Sequence, residues 1–208
     1  MTNHLHQFSQ GDSDESPNFK NISLLQIIEK WYGHTIKPLD PQKHSDLLEK
    51  IKKAMVMVCA AVNKHPIIRP RPNEVGNDME LFVIDALNNV GLHAYPPKTR
   101  SGNGKSTGYP DIFIDHPGAP IYLEVKTFSQ KTHETTQRSF YVSPSEDPKV
   151  TCDAHHIVVG FEIQRQGDTF TTSGHFKIVD LFYLVGDIKI EFNSDNRRLY
   201  TKGLLLDI

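Results

Sequence analysis

The chain has 208 residues, 38% hydrophobic and 23% charged, with a formal net charge of −2. That is enough for a real hydrophobic core, while so small a net charge neither supports nor excludes a nucleic-acid partner. The longest apolar run, "AMVMVCAAV" at 54–62, is far too short to span a bilayer. The N-terminus lacks the basic and then apolar layout of a signal peptide, so a cytoplasmic protein is expected. Cys59 and Cys152 stand in unrelated contexts, which argues against a disulfide framework or a zinc site.

Residues 1–18 are polar, acidic and poor in aliphatics, and read as a mobile tail. The rest, 19–208, reads as one domain with a helical part at 19–72 and a core at 73–208. "NISLLQIIEKWYG" predicts a short helix with Leu24, Leu25, Ile28 and Trp31 on one side and Gly33 as terminator. A longer helix follows, with Asp40 as cap, Pro41 in the first turn, and a stripe of Leu47, Leu48, Ile51, Met55, Val58, Cys59 and Val62. Three prolines make "HPIIRPRPN" a loop. A third helix is predicted in "GNDMELFVIDALNNVG", capped by Asn77, ended by Gly91, and apolar at Phe82, Val83, Ala86, Leu87 and Val90. Glu80 lies at the margin of that face. It is either a partner of the helix dipole or a carboxylate pointing toward a metal site.

From Leu92 the pattern changes to short β-branched runs separated by Gly and Pro. Strands are predicted near 92–95, 111–115, 121–127 and 155–163, with weaker ones near 187–193 and 198–206. A short helix capped by Asp180 is predicted in "VDLFYLVG". Helices first and strands later imply an α/β (α+β) domain, a central mixed sheet flanked by helices.

"TRSGNGKS" imitates a phosphate-binding loop. The terminal Gly104-Lys105-Ser106 is present, but Thr99 stands where the first glycine belongs, and Pro110 precedes a β-branched run instead of a helix. ATP binding is therefore set aside. The segment suits a mobile loop whose backbone, with Asn103 and Lys105, approaches a phosphodiester chain.

"DIFID" and "IYLEVKTF" are joined by "HPGAP", a connection that favours an antiparallel hairpin. Alternation on the second strand puts Glu124 and Lys126 on one face and Leu123 and Val125 in the core. The hairpin would bring Asp111 near both polar residues. Two carboxylates beside an ammonium group form a candidate catalytic cluster. A divalent cation relieves the mutual repulsion of the carboxylates and polarises a phosphoryl oxygen. Oxygen ligands and a phosphate substrate favour Mg²⁺.

Pro110-Asp111 and Glu124-Val125-Lys126 resemble the two halves of the PD-(D/E)xK nuclease motif. The later segments "RSFYVSPSEDPKV", "DAHHIVVGFEI" and "KIVDLFYLVGDIKIEFN" are similar to type II restriction endonucleases within that superfamily. The resemblance implies a restriction-endonuclease-like fold, metal ligation by Asp111, Glu124 and the Val125 carbonyl, and Lys126 at the attacking water. It also implies that a helix-borne glutamate completes the site, and Glu80 is the best-placed candidate. Two other acid-x-lysine matches, at Asp147 ("DPK") and Asp187 ("DIK"), lack a Pro-Asp strand before them.

Recognition of double-stranded DNA calls for base-edge donors on loops. Lys131, His133, Gln137 and Arg138 in one loop and Arg69, Arg71 and Asn73 in another are suited to this. Of His155 and His156, one can reach phosphate, and the alternative is a satisfied structural histidine. A palindromic target would imply a homodimer, and a restriction enzyme implies a cognate DNA methyltransferase. A structure-specific nuclease and an inactive DNA-binding module on the same scaffold are the alternatives.

Overall fold

The computed structural model describes residues 19–71, 74–131, 138–191, 194–201 and 204–206. They fall into two compact units, Ser23–Val185 and a second assembled from Met1–Ile22 and Gly186–Ile208. The predicted positions His133, Gln137 and Asn73 lie outside the described residues.

In the larger unit, α1 (Leu24–Tyr32) starts at Ser23, whose N–H donates to the Gln26 side chain at 3.4 Å, and stops at Gly33 with φ of 75°. Helix α2 (Ser45–Lys64) carries the expected stripe, but begins later than the sequence implied. The Asp40 carboxylate caps a tight turn instead, accepting from Gln42 N at 2.9 Å and Lys43 N at 3.3 Å. This is the local side-chain-to-backbone competition that draws aspartate away from helix starts. Helix α3 (Val75–Asn89) begins earlier than expected, because Val75 and Met79 are both fully buried and extend its apolar face. Asn77 therefore lies within the first turn and is not the cap.

Seven strands form one mixed sheet. They are β2 (Ile36–Lys37), β3 (Ile67–Ile68), β4 (His93–Tyr95), β5 (Ile112–Asp115), β6 (Ile121–Phe128), β7 (Ala154–Gln166) and β8 (Thr169–Asp180). The order is β3-β8-β7-β6-β5-β4, with β2 also beside β7. β7 runs parallel to β6 and β2, and the other pairings are antiparallel. Two further short strands are β1 (Ile22–Ser23) and β9 (Val185–Gly186).

β8 was not anticipated. "TFTTSGHFKIVD" is largely polar, yet it is held by a long ladder to β7 through a two-residue turn at Gly167-Asp168, where Gly167 has φ of 62°. The anticipated helix at 179–186 shrinks to a 3-10 turn, Leu181–Tyr183, with Asp180 accepting from Phe182 N at 3.0 Å.

Each sheet face has its own core. Helices α2 and α3 cover the face carrying Leu123, Val125, Ile157, Val159 and Phe161. The opposite face, with Tyr122, Ala154 and Tyr109, packs against α1 and the 3-10 turn. The Glu124 side of β6 is thus also covered near its start, by the core around Tyr122.

In the smaller unit, Ile188 N donates to Phe19 O at 2.8 Å and Asn21 N to the Asp187 carboxylate at 3.1 Å. Among the described residues, neither 187–191 nor 198–206 forms a strand, and Asn196–Leu199 make one helical turn (α4). Ile190, Leu199, Leu205 and Leu206 are exposed there, so these β-prone residues have no face to bury.

Candidate active site

The predicted hairpin forms with Ile112 opposite Leu123 and Ile114 opposite Ile121, which sets Asp111 across from Glu124 one step further on. Asp111 supplies a side-chain contact where the backbone ladder has ended. Its Oδ2 accepts the Val125 N–H at 2.8 Å. The approach to Asp111 is fixed by Gly108, which has φ of 80° and whose missing Cβ would lie 3.3 Å from the Tyr141 carbonyl oxygen. Tyr109 follows, joined to Pro110 by a cis peptide bond, and its N–H donates to that same carbonyl at 3.1 Å.

Glu124 is only 3% exposed. One of its oxygens accepts from the Lys126 ammonium, while Oε2 is sealed from solvent and meets no N–H donor, the Asp111 carboxyl being its side chain's other polar neighbour. Burial, then the Asp111 charge, pushes its carboxyl up to about 7 against the pull of Lys126. Asp111 is also raised, chiefly by burial and against the Val125 amide. Glu80 reaches the same field from α3, which packs on β6. Half-burial and then the Asp111 charge push it up to about 7, opposed by Lys149 and Lys126.

An oxygen left without a donor in a buried carboxylate pair is a place for a hard cation, so Asp111 and Glu124 fit a divalent metal. Among the described residues, no group of three or more His, Cys, Asp or Glu is arranged to hold one. The set that would hold it is two carboxylates, with Glu80 in the same electrostatic field.

Lys149 was passed over in the sequence because its acid-x-lysine match sits in a proline-rich loop. Its Nζ donates to Gly108 O at 2.7 Å and Pro110 O at 3.0 Å, and the residue is 6% exposed. Burial lowers its ammonium, while Asp111, Glu124 and Glu80 support it. The signal was present as a second lysine behind an acid, but only folding reveals that it closes on the Pro-Asp element. The acid of that match, Asp147, binds Ser101 N and Oγ, both at 2.7 Å.

The glycine-rich loop is tied back on itself and to the 147–148 segment by hydrogen bonds. Thr99 N donates to Asn103 O at 2.9 Å, Arg100 N to Pro148 O at 3.0 Å, and Lys98 bridges to Gly104. Asn103 donates to Ser101 Oγ at 2.8 Å, and Lys105 is exposed at its rim. Arg71, Lys131 and Arg138 are exposed. Arg69 is engaged with Asp78 through two contacts of 2.6 and 2.7 Å, tying the β3 loop to α3. The two histidines serve the fold: His155 Nδ1 pairs with Lys37 O at 2.9 Å and His156 Nδ1 with Tyr109 OH at 2.6 Å. Burial lowers His156 to about 3, so its ring is neutral. No helix among the described residues is long and apolar enough to cross a membrane.

A mixed sheet flanked by helices, with two acids and a lysine gathered at one hairpin, is compatible with a restriction-endonuclease-like fold. The chain belongs to the type II restriction enzyme MjaV family, whose model matches residues 18–203. Type II restriction enzyme MjaV of Methanocaldococcus jannaschii is 38% identical over 205 residues, covering 90% of this chain and 88% of that protein.

Proposed function

We propose that the chain is a Mg²⁺-dependent endonuclease that hydrolyses double-stranded DNA at a specific sequence, with Asp111, Glu124 and Lys126 at the scissile phosphate. The observation that carries the reading is the buried oxygen of Glu124 that meets no N–H donor, beside Asp111. Asp111 and Glu124, with the Val125 carbonyl, would hold the ion, which when bound polarises the phosphate and makes water a better nucleophile.

The chain's own groups supply the rest. The Val125 amide fixes the Asp111 carboxylate, so one ligand is oriented before substrate arrives. Lys126, on the same strand face as Glu124, orients the attacking water and stabilises charge gathering on the phosphoryl oxygens. Lys149 holds the Pro110 carbonyl, and through it the position of Asp111. Glu80, close to half-protonated near neutrality, sits where it can exchange a proton with water at the rim.

Target reading falls to exposed loops. Lys131, Gln137 and Arg138 approach base edges, Asn103 and Lys105 approach the backbone, and Arg71 with Arg69 approaches from the other loop, Arg69 after leaving Asp78. Cutting both strands of a palindrome uses two copies of the chain, a homodimer. In the cytoplasm, a partner methyltransferase would mark host DNA.

The test is incubation of the purified protein with plasmid and phage DNA, with and without Mg²⁺, followed by sequencing of fragment ends. Discrete fragments with one shared end sequence, formed only with the ion, are expected. A smear, or cutting confined to branched DNA, overturns the reading.

A further inference from the structure

Among the described residues, the sheet face that bears Glu124 is covered at one end by α1 and open at the other. Three residues stand in one row across that open part: Lys126 on β6, Gly160 on β7 and Lys177 on β8, consecutive partners in the ladders. Lys126 and Lys177 are therefore two strand spacings apart, about 10 Å between Cα positions. Gly160 has no side chain to fill the space between them, and a Cβ there would touch the Phe128 ring at 3.4 Å.

Aromatic faces support both ammonium groups. Lys126 Nζ lies 5.3 Å from the Phe140 ring centre and Lys177 Nζ 5.6 Å from that of Phe128. With exposed Arg138, these residues line a cleft of about 250 Å³. The only carboxylate beyond it on this face of β7, Glu162, is covered by His175 at 3.0 Å. The cleft thus presents Lys177 and Arg138 on a floor of glycine, valine and aromatic carbon, and it is continuous with Lys126, whose ammonium is paired with Glu124.

We propose that this trough is a phosphodiester track: Lys177 grips a backbone phosphate of the strand being cut, within about three nucleotides of the scissile bond at a rise of about 3.4 Å each. The contact is independent of sequence, since it reads charge and not base edges. The proposal rests on the nuclease reading above and adds the path of the cleaved strand across β7 to β8.

The test measures binding of a fluorescent 30-base-pair duplex in EDTA across a salt series, with Mg²⁺-supported plasmid cleavage in parallel. Losing one phosphate contact reduces the slope of log affinity against log salt by about 0.9, and weakens binding about five- to tenfold at moderate salt. Lys177→Ala should show both effects on any duplex, and raise KM for plasmid with kcat kept. Gly160→Val, which fills the trough, should weaken binding in the same way. Should Gly160→Val fail to fold, Lys177→Ala decides alone, because its side chain is exposed. Wild-type slope and affinity in Lys177→Ala overturn the track. A wild-type protein that cuts no duplex overturns the nuclease reading instead, so the two failures are distinct.

Discussion

The carboxylate of Asp111 accepts the backbone N–H of Val125 at 2.8 Å, fastening one acid of the site to the strand that carries the other. Asp111→Asn keeps an oxygen for that amide but loses the charge. It should fold with a melting temperature near wild type, bind Mg²⁺ weakly and lose cleavage by a factor of about 10³ or more. Asp111→Ala also leaves the amide unpaired and should lose a further 1–3 kcal/mol or so of stability. Calorimetric metal titration and thermal melting of the two variants separate the effects.

Glu124 is a buried acid whose carboxyl is pushed up to about 7. The folded chain prefers its neutral form, so its favourable contribution is complete below about 4.5 and is lost as pH rises through about 7. Glu124→Gln removes that loss. In metal-free buffer the variant should gain stability over wild type between pH 5 and pH 8, by an amount on the order of 3 kcal/mol at the upper end. Urea unfolding at several pH values checks this. A constant difference between the proteins contradicts it.

Protons and metal compete for the same oxygens. At limiting Mg²⁺, single-turnover cleavage should climb as pH passes through about 7, where Glu124 and Glu80 lose their protons. Saturating metal should move the midpoint to lower pH. A profile that ignores metal concentration contradicts this coupling.

Lys126→Ala should abolish cleavage while DNA affinity in EDTA falls by less than tenfold, because one cation is lost among several. Gel-shift and cleavage assays on one preparation measure both.

Lys149→Met keeps most of the unbranched side chain but loses the ammonium, leaving the Gly108 and Pro110 carbonyls without that donor. A 10- to 100-fold fall in kcat with nearly constant KM for DNA is expected, as befits a residue acting through Asp111. A KM effect of that size with normal kcat would instead make Lys149 a DNA contact.

The hairpin and its acids were legible because their signals are local: alternation, a Pro-Gly connection, and an acid two residues before a lysine. β8 was not, because "TFTTSGHFKIVD" lacks clean apolar alternation: its β-prone Thr, Phe, Ile and Val are interrupted by Ser, Gly, His and Lys, and its long pairing with β7 defines it as a strand. Glu124 reads as surface in a single strand. Only the second core around Tyr122 and Tyr109 shows it to be buried. Lys149 was hidden for a related reason: nothing in "EDPKV" announces that this lysine folds back over some forty positions to Gly108 and Pro110.

The parallel pairing of β6 with β7 dictates the route of the chain between them. Neighbouring strands that run the same way cannot be linked by a tight turn, so the chain must make an excursion between them. Here that obligatory detour, from 129 to 153, contains Lys131, Arg138, Phe140 and Lys149. The residues proposed to meet DNA and the strands that carry the proposed acids are thereby separate stretches of one chain, the first free of the ladder that fixes the second.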